Sequence, residues 1–448
     1  MAKNNSIKTE VVQNHIHLPN NFSLDEQSTL VHHLMEYTNE SIFLTGKAGT
    51  GKSTLLNYFR RNTKKKIVVL APTGLASIQV GGCTIHSFFG FPLRTMVQND
   101  PEIRVWGRSH PKFKIIQTME ALIIDEVSMV RADLLDAIDQ CLRLNMNLDL
   151  PFGGKQLILI GDVFQLSPVV NTIQSENFGQ EEYESPYFFS ANSFRNARPK
   201  VIELKKIYRQ EQQDFIYLLN KIRNGSAGKE EIAQLNEKMV KDEANQNEFA
   251  VCLTSINAIA DKVNKEKLNE IISPIFVFKG KTDGVFSEKN FPVEIELKLK
   301  RGAQVMMAKN DMFGRFVNGS VGKIISINNR EIKVEFANNT IVSVDPVVWE
   351  NRIFKWHDES KNIISEVIGS FTQYPIKLAW AITIHKSQGL TFDKIIIDLG
   401  KGAFAHGQLY VALSRCRTWE GITIRNKLKL SDVIIDEAVD YFASKYLN

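Results

Sequence analysis

The stretch from Ser41 to Thr54 constrains the fold of this chain most. Its first apolar residues, Ile42 to Leu44, predict a buried strand. A pattern of the form G-x-x-x-x-G-K-[ST] follows at once, and helical spacing begins at Lys52. A strand, a glycine-rich loop and a helix start are the context in which backbone N–H groups and a helix N-terminus surround phosphate groups. The sequence therefore predicts a nucleotide-phosphate loop.

The residue types in this loop suggest individual roles. Lys52 is expected to reach the β- and γ-phosphates of ATP, and the hydroxyl of Ser53 to ligate Mg²⁺. The other loop positions expected to hold the nucleotide are Gly46, Ala48, Gly49, Thr50, Gly51 and Thr54. The alternative, a chance glycine turn, is disfavoured because a strand and a helix flank the loop.

A second apolar strand, Ala121 to Ile124, ends in two carboxylates, Asp125 and Glu126. Such a run predicts a buried parallel strand whose carboxyl end meets the phosphates. Asp125 is expected to hold Mg²⁺ through water, and Glu126 to orient and deprotonate the attacking water. The alternative, a strand followed by an acidic helix cap, is disfavoured by the upstream phosphate loop. Gln165 follows a further buried strand and is a candidate sensor of the γ-phosphate or of the attacking water.

Composition sets looser bounds. The 448 residues suffice for two or three domains, and 43% hydrophobic with 23% charged residues is ordinary for a soluble globular protein. The net charge of +5 is compatible with a nucleic-acid partner but does not by itself establish one. The four cysteines form no C-x-x-C pair, which argues against a zinc site or a disulfide framework. No apolar run approaches the roughly 20 residues that span a bilayer, so no membrane partner is expected.

The order of patterns predicts two α/β domains. Strands alternate with helices over residues 40–210, which predicts a doubly wound parallel sheet, and the alternation restarts near Ala250. Short alternating strands between Val321 and Glu350 predict a small inserted β-barrel. The predicted divisions are a flexible N-terminus at 1–20, domain one at 21–205 with an irregular wedge insertion at about 88–114, and domain two at 206–448 with the barrel at about 314–372.

Some residues allow two interpretations at this stage. The first helix is predicted to begin with Ser23 as its N-cap. The amide of Gln27 on that helix could read an adenine edge through paired hydrogen bonds, but from this residue alone a solvated position on the helix surface is favoured. Small residues, a histidine and two rings between Gly81 and Phe89 suit contact with single-stranded nucleic acid. The alternative is that Phe88 and Phe89 are core residues, which is expected for at least one of them.

Seven segments together resemble the ordered motif series of superfamily-one DNA helicases, and most closely the petite-integration-frequency (PIF) family of superfamily 1B. In chain order they are GKAGTGKST, APTGLAS, LIIDEVSM, LILIGDVFQLSP, LKKIYRQ, AWAITIHKSQGLTFDKIIID and LYVALSRCR. The segment from Arg131 to Gln165, with PFGGKQLILIGDVFQL, is similar to the signature of that family. The resemblance extends from about Phe22 to Ile422. Small departures occur at Val163 and Ser167, where an aromatic residue and a proline are common.

The resemblance implies an α/β fold with two RecA-like P-loop NTPase domains, ATP in the cleft between them and single-stranded DNA across both. Residues assigned to the nucleotide by the resemblance are Gln27 for adenine, Lys52, Ser53, Asp125 and Glu126 for phosphate and magnesium, Gln165 for the γ-phosphate, Arg209 and Arg415 as the cleft-closing arginines, and Gly389. Residues that fall in motifs lining the DNA path are Thr73, Gly74, His86, Phe88, Phe89, Thr383, His385 and Ser387.

The resemblance also implies 5′-to-3′ translocation and activity on forks, R-loops and G-quadruplexes in genome maintenance. A compact bacterial or phage form is expected, working in the cytoplasm at the nucleoid as a monomer or as a dimer on DNA. Rival interpretations are a RecD-like or Dda-like helicase and an ATP-driven DNA-binding switch without strand separation. A metabolic kinase is disfavoured because it does not need a second α/β domain with HKSQG and ALSRCR motifs.

Overall fold

A computed structural model describes residue 18 and residues 23–168, 183–239 and 248–447. The chain divides into two compact units: unit 1 contains residues 1–161, 170–206 and 352–367, and unit 2 contains residues 162–169, 207–351 and 368–448. The units differ from the predicted domains at residue 206 and in two segments, 162–169 and 352–367, which the sequence assigned to the other domain. Apart from Leu18, the N-terminus predicted to be flexible lies outside the described residues.

Unit 1 is built from alternating strands and helices. Its described helices are α1 Glu26–Tyr37, α2 Lys52–Asn62, α3 Gly74–Gln79, α4 Ile85–Phe89, α5 Pro111–Thr118, α6 Ala132–Met146 and α7 Asn192–Ala197. Its main-sheet strands are β1 Ile42–Gly46, β2 Ile67–Ala71, β3 Cys83–Thr84, β4 Ala121–Ile124, β5 Gln156–Ile160 and β6 Lys200–Leu204. They lie in the order β3–β2–β4–β5–β1–β6, with every neighbouring pair parallel.

The apolar runs explain this sheet. Every residue of β1, β4 and β5 is buried, as expected for parallel strands covered on both faces. Helices α1 and α2 pack on one face through Val31, Met35 and Phe59, each fully buried. Helix α1 begins at Glu26, and its N-cap is Asp25, whose side chain accepts a hydrogen bond from the N–H of Ser28. The prediction that Ser23 is the cap was wrong, because Asp25 is the residue that bonds the first turn.

The irregular excursion in unit 1 is held against α6. The predicted limits of 88–114 overlap α4 and α5, and the segment without helix or strand is 90–110. The carboxylate of Asp133 accepts from the N–H of Met96 at 2.7 Å, and Asn145 accepts from the N–H of Trp106 at 2.9 Å. Leu93 remains 81% exposed. An anchored loop with an exposed apolar residue is compatible with a wedge, which stays a prediction.

Unit 2 also contains alternating elements. Its described helices are α8 Gln213–Arg223, α9 Lys229–Asn236, α10 Asn257–Glu270, α11 Gln408–Leu413 and α12 Glu437–Tyr446. Strands of the second half are β7 Val251–Thr254, β8 Ile275–Lys279, β9 Lys281–Gly284, β10 Glu296–Lys300, β11 Gln304–Met307, β12 Val321–Ile327, β13 Ile332–Phe336, β14 Ile341–Val344, β15 Val347–His357, β16 Asn362–Gln373, β17 Ile376–Leu378, β18 Ala381–Thr383, β19 Ile395–Asp398 and β20 Ile422–Ile424.

Two kinds of sheet organise these strands. The parallel sheet has the order β18–β7–β19–β20, while β14–β13–β12–β11–β17 form an antiparallel sheet. The antiparallel sheet includes β11 and β17, which lie outside the predicted insertion at 314–372. Closure of this region into a barrel stays a prediction. Within the described ranges, no helix combines the length and apolar character needed to cross a bilayer.

Candidate nucleotide-binding site

The phosphate loop connects β1 to α2 through left-handed glycines. Gly49 and Gly51 have φ of 82° and 83°, which glycine adopts at little cost, and Gly51 is the N-cap of α2. A Cβ on Gly46 would lie 2.9 Å from the carbonyl oxygen of Leu204, so the strand end admits no larger residue. No side chain caps α2, and its first N–H groups are therefore suited to an anion.

Lys52 lies across this loop. Its ammonium nitrogen donates to the carbonyl oxygens of Gly46, at 2.5 Å, and Lys47, at 3.1 Å. It also lies close enough to Asp125 for its positive charge to act on the pKa of that carboxyl. The predicted phosphate lysine and the predicted magnesium carboxylate are thus brought together within unit 1, at the carboxyl end of the parallel strands.

The two carboxylates after β4 have different environments. Asp125 is 6% exposed, and burial, followed by the charge of Glu126, raises its pKa above the usual range of an aspartate, against the opposing charges of Lys52 and Arg60. Its Oδ1 accepts from the N–H of Glu126 at 2.9 Å. Glu126 has φ 51° and ψ 43°, a left-handed conformation that is uncommon outside glycine. Such backbone strain clusters at functional sites, where it fixes a side chain in a required direction.

The residues present fit a magnesium ion. Ser53 offers an exposed hydroxyl one position after Lys52, and Asp125 offers a buried carboxylate. Hard oxygen donors of this kind suit Mg²⁺, which usually takes one or two protein ligands and completes its shell with substrate phosphates and water.

Gln27 is held beside the phosphate loop by main-chain contacts. Its Nε2 donates to the carbonyl of Glu203 at 2.7 Å, and its Oε1 accepts from the N–H of Lys205 at 3.0 Å. Because Gly46 pairs with Leu204 in the parallel sheet, this clamp lies next to the start of the loop. The amide of Gln27 is therefore bonded to the main chain on both sides, and the interpretation of Gln27 as a solvated residue is replaced. Adenine recognition by Gln27 stays a prediction.

Two predicted arginines lie together in unit 2. Arg209 donates through Nη1 to the carbonyl oxygen of Ser414 at 3.1 Å, next to Arg415. Gln210 donates to the carbonyls of Ser414 and Cys416 at 3.3 Å and 3.0 Å. Burial, and then the charge of Arg415, lower the pKa of Arg209 to about 9. The segments LKKIYRQ and LYVALSRCR are thus joined by bonds from Arg209 and Gln210 to the main chain beside Arg415.

Arg415 is a buried residue. It is 2% exposed, and it follows α11, which ends at Leu413. Its guanidinium donates to the carbonyls of Val411 at 3.0 Å, Ser387 at 3.4 Å and Leu390 at 3.5 Å. The turn between Ser387 and Leu390 contains Gly389, so the guanidinium fixes the position of that predicted nucleotide contact.

Known proteins resemble this chain along most of its length. The family model of the PIF1-like helicases matches residues 24–233, and that of the UvrD-like helicase C-terminal domain matches residues 378–423. ATP-dependent DNA helicase PIF1 of Rattus norvegicus is 33% identical over 89% of this chain, which spans about 60% of the length of that relative. ATP-dependent DNA helicase Pif1 of Campylobacter jejuni is 30% identical, over 88% of this chain and 90% of its own length. The chain belongs to the PIF1-like helicase family.

Solved structures agree with this membership. Bacteroides sp Pif1 in complex with ADP-AlF4 is 38% identical and has a TM-score of 0.87, over 95% of this chain and 98% of that one. The same protein bound to ssDNA gives a TM-score of 0.67 at the same identity and coverage. The predicted fold class, two RecA-like domains of α/β type in a PIF1-like helicase, is confirmed, while its two insertions stay predictions.

The rings of Phe88 and Phe89 are not available to stack on bases. Phe88 is 1% exposed and Phe89 is fully buried. Their ring centroids lie 4.8 Å apart in an edge-to-face pair, and Phe89 stacks on Phe91 at 5.2 Å. The short helix α4 turns its aromatic side inward, which favours the core interpretation for both rings, and their place on the DNA path stays a prediction. Large exposed rings of the described residues include Phe313 and Phe404.

Two hydroxyls predicted on the DNA path are also buried. Ser387 is fully buried, and its Oγ donates to the carbonyl of Ile384 at 2.7 Å. Thr383 is 3% exposed, and its Oγ1 accepts from the N–H of Lys386 at 3.3 Å. Both side chains therefore stabilise the turn that follows β18, and their contact with DNA stays a prediction. His385, between them in sequence, is half-buried, and burial lowers its pKa.

The remaining predicted DNA contacts lie at helix starts in unit 1. Thr73 is the N-cap of α3 and accepts from the N–H of Ala76 at 3.2 Å, and Gly74 is the first residue of that helix. His86 on α4 is half-buried, and burial lowers its pKa. All three are partly exposed, so contact with DNA stays a prediction for them.

Gln165 has surroundings that sequence reasoning did not foresee. It is 7% exposed and belongs to unit 2, where its side chain lies 3.4 Å from Oδ2 of Asp162. Asp162 lies three residues before Gln165 in the GDVFQLSP segment, and this short spacing was the one sequence signal that could have predicted their contact. Arg223 and Tyr410 also bond Asp162, but they lie 61 and 248 positions away from it, so no local pattern connects them.

Proposed function

We propose that this PIF1-like helicase is an ATP-dependent DNA helicase that moves 5′ to 3′ on single-stranded DNA and separates duplexes. The observation that carries the proposal is the joint position of Lys52 and the Asp125–Glu126 pair at the phosphate loop, in a chain of this family. Its Rattus and Campylobacter relatives are named ATP-dependent DNA helicases.

In this proposal the residues of unit 1 act on the triphosphate. Lys52 exchanges its bonds to loop carbonyls for bonds to phosphate oxygens. Ser53 and Asp125 would hold Mg²⁺, which would supply positive charge to neutralise the phosphates. Glu126, fixed by its left-handed backbone, orients the attacking water and takes its proton. Gln165 senses the γ-phosphate, and Arg209 and Arg415 support hydrolysis.

The substrate in this proposal is single-stranded DNA, with forks, R-loops and G-quadruplexes as structured targets in replication, repair, recombination and telomere-type maintenance. Bacteroides Pif1 has been crystallised bound to ssDNA, which supports the first of these. The enzyme is proposed to act as a monomer, with a dimer on DNA as the alternative, at the nucleoid of a bacterial cytoplasm.

Polarity gives the most direct test of the proposed activity. With ATP and Mg²⁺, duplexes carrying only a 5′ single-stranded tail should be separated, and duplexes carrying only a 3′ tail should remain intact. A forked duplex serves as the positive control in a fluorescent strand-displacement assay. Displacement from 3′ tails alone would contradict the direction of movement, and DNA-stimulated ATP turnover without displacement would support the DNA-binding switch instead.

Salt should weaken binding to single-stranded DNA. Cationic side chains that contact phosphates release condensed counterions, so the logarithm of the association constant should fall linearly with the logarithm of salt concentration. Base stacking should leave a part of the affinity that salt does not remove. Fluorescence anisotropy measures the slope, and an oligonucleotide analogue with an uncharged backbone should abolish it. A flat line with natural DNA would rule out binding along the backbone.

A further inference from the structure

The loop that follows β5 contains a buried ion pair. Asp162 is 2% exposed, and its Oδ1 lies 3.1 Å from Nη2 of Arg223, the last residue of α8. The guanidinium carbon of Arg223 lies 4.2 Å from the ring centroid of Phe164 in the same loop. All three residues belong to unit 2. Because desolvation of two buried charges offsets most of their attraction, such a pair contributes little net stability, and its main effect is to fix the carboxylate in place.

The fixed carboxylate in turn holds Gln165. The backbone N–H of Gln165 donates to the carbonyl of Asp162 at 3.0 Å, and its side-chain Nε2 lies 3.4 Å from Oδ2. Oδ1 also accepts from the N–H of Phe164 at 3.2 Å. The hydroxyl of Tyr410, in the middle of α11, lies 3.3 Å from Oδ2. The direction of the Gln165 amide therefore depends on Asp162, and the position of Asp162 depends on Arg223.

The same loop is attached at a second point, the start of α11. The Nδ1 of His406 accepts from the N–H of Asp436 at 3.1 Å, so its Nε2 carries the proton and donates to the carbonyl of Val163 at 2.9 Å. A Cβ on Gly407 would lie 2.5 Å from the carbonyl oxygen of Phe164, which shows how closely loop and helix approach. Helix α11 ends two residues before Arg415.

We propose that Arg223, acting through Asp162, is the positioning residue that sets Gln165 for ATP hydrolysis and ties it to α11. The inference rests on the proposed function, in which Gln165 senses the γ-phosphate. In this inference Arg223 acts through Asp162 and not on the nucleotide itself. Its loss should lower kcat more than it raises KM for ATP, because the contact of Gln165 matters most in the hydrolysis step.

A double-mutant cycle tests this coupling. In DNA-stimulated ATPase assays, Arg223→Met should lower kcat about 10- to 100-fold, the scale for a misplaced catalytic group, with KM for ATP nearly unchanged. Gln165→Ala should lower kcat about 10²- to 10³-fold. The double variant should match Gln165→Ala within about twofold, since Arg223 would have nothing left to position. Fully additive losses would overturn the inference, and wild-type kcat in Gln165→Ala would overturn both the inference and the proposed role of Gln165.

Two further variants separate positioning from general destabilisation. Arg425→Met removes another ion pair of unit 2, with Asp398 at 3.0 Å, and should lower Tm while leaving kcat unchanged. An equal loss of kcat in this control would overturn the inference. Tyr410→Phe removes only a hydroxyl and keeps the ring, so it tests whether the bonds of Asp162 position Gln165 even if Arg223→Met does not fold. Tyr410→Phe should lower kcat about two- to fivefold, and only when Gln165 is present. Wild-type kcat in Tyr410→Phe would contradict the coupling of Tyr410, Asp162 and Gln165.

Discussion

Lys52→Ala is expected to lower DNA-stimulated ATP turnover by at least about 10²-fold and to abolish strand displacement. The ammonium that now bonds the carbonyls of Gly46 and Lys47 is the charge placed to meet the developing negative charge on the phosphates. Binding of single-stranded DNA without nucleotide should be unchanged, because the proposed DNA contacts do not include this residue. Steady-state ATPase and fluorescence anisotropy on the same preparation measure the two properties.

Lys47→Ala is the matched control for that variant. It removes an equal charge from the same loop, but from a position that the phosphate-loop pattern leaves open. We expect it to retain most of its ATP turnover. Near wild-type turnover in Lys52→Ala, or an equal loss in both variants, would show that the assignment of the phosphate loop is wrong.

Arg415→Ala is expected to lower ATP turnover by about 10³-fold, within the range measured for arginines that stabilise phosphoryl transfer. Nucleotide affinity should change less, since the effect falls mainly on the hydrolysis step. The structure adds a second consequence. The guanidinium is buried and bonds the carbonyls of Val411, Ser387 and Leu390, so its removal should also lower the free energy of unfolding by about 2–3 kcal/mol. ATPase assays, binding of a fluorescent nucleotide and urea unfolding measure the three effects.

Two comparisons separate the catalytic and structural effects of Arg415. Arg209→Ala removes the neighbouring, half-buried arginine, which makes one described bond to the carbonyl of Ser414, and should lower turnover with a smaller loss of stability. Arg415→Lys should restore little of either property, because an ammonium keeps the charge but lacks the planar fork that reaches several carbonyls. Near-normal turnover in a folded Arg415→Ala would leave this residue a purely structural role.

The sequence predicted the elements whose signals are local. Apolar runs such as Ile42 to Leu44 and Ala121 to Ile124 are strands in the structure, because a strand buried on both faces needs an unbroken apolar sequence. The glycines of the phosphate loop were equally predictable, since left-handed backbone at Gly49 and Gly51 restricts the residue type. The carboxylates Asp125 and Glu126 were also predicted at the end of their strand, because they follow its apolar run directly in the sequence.

Several side chains escaped prediction because their environment depends on distant partners. Nothing in the local pattern distinguishes an aromatic residue that stacks on bases from one that packs in a core, and the structure buries Phe88 and Phe89 against Phe91. Gln27 had no local sign of its clamp to Glu203 and Lys205, which lie more than 170 positions away.

By itself, the sequence determined the phosphate loop, the order of the motifs and the family to which the chain belongs, because each of these is written in consecutive residues. Only the tertiary structure decided how the site is held. It assigned residues 162–169 to unit 2, buried Arg415 among backbone carbonyls, and joined Asp162 to Arg223. The physical reason is that burial and pairing of a charged group are set by whichever elements the fold brings around it, and those elements are far apart in the chain.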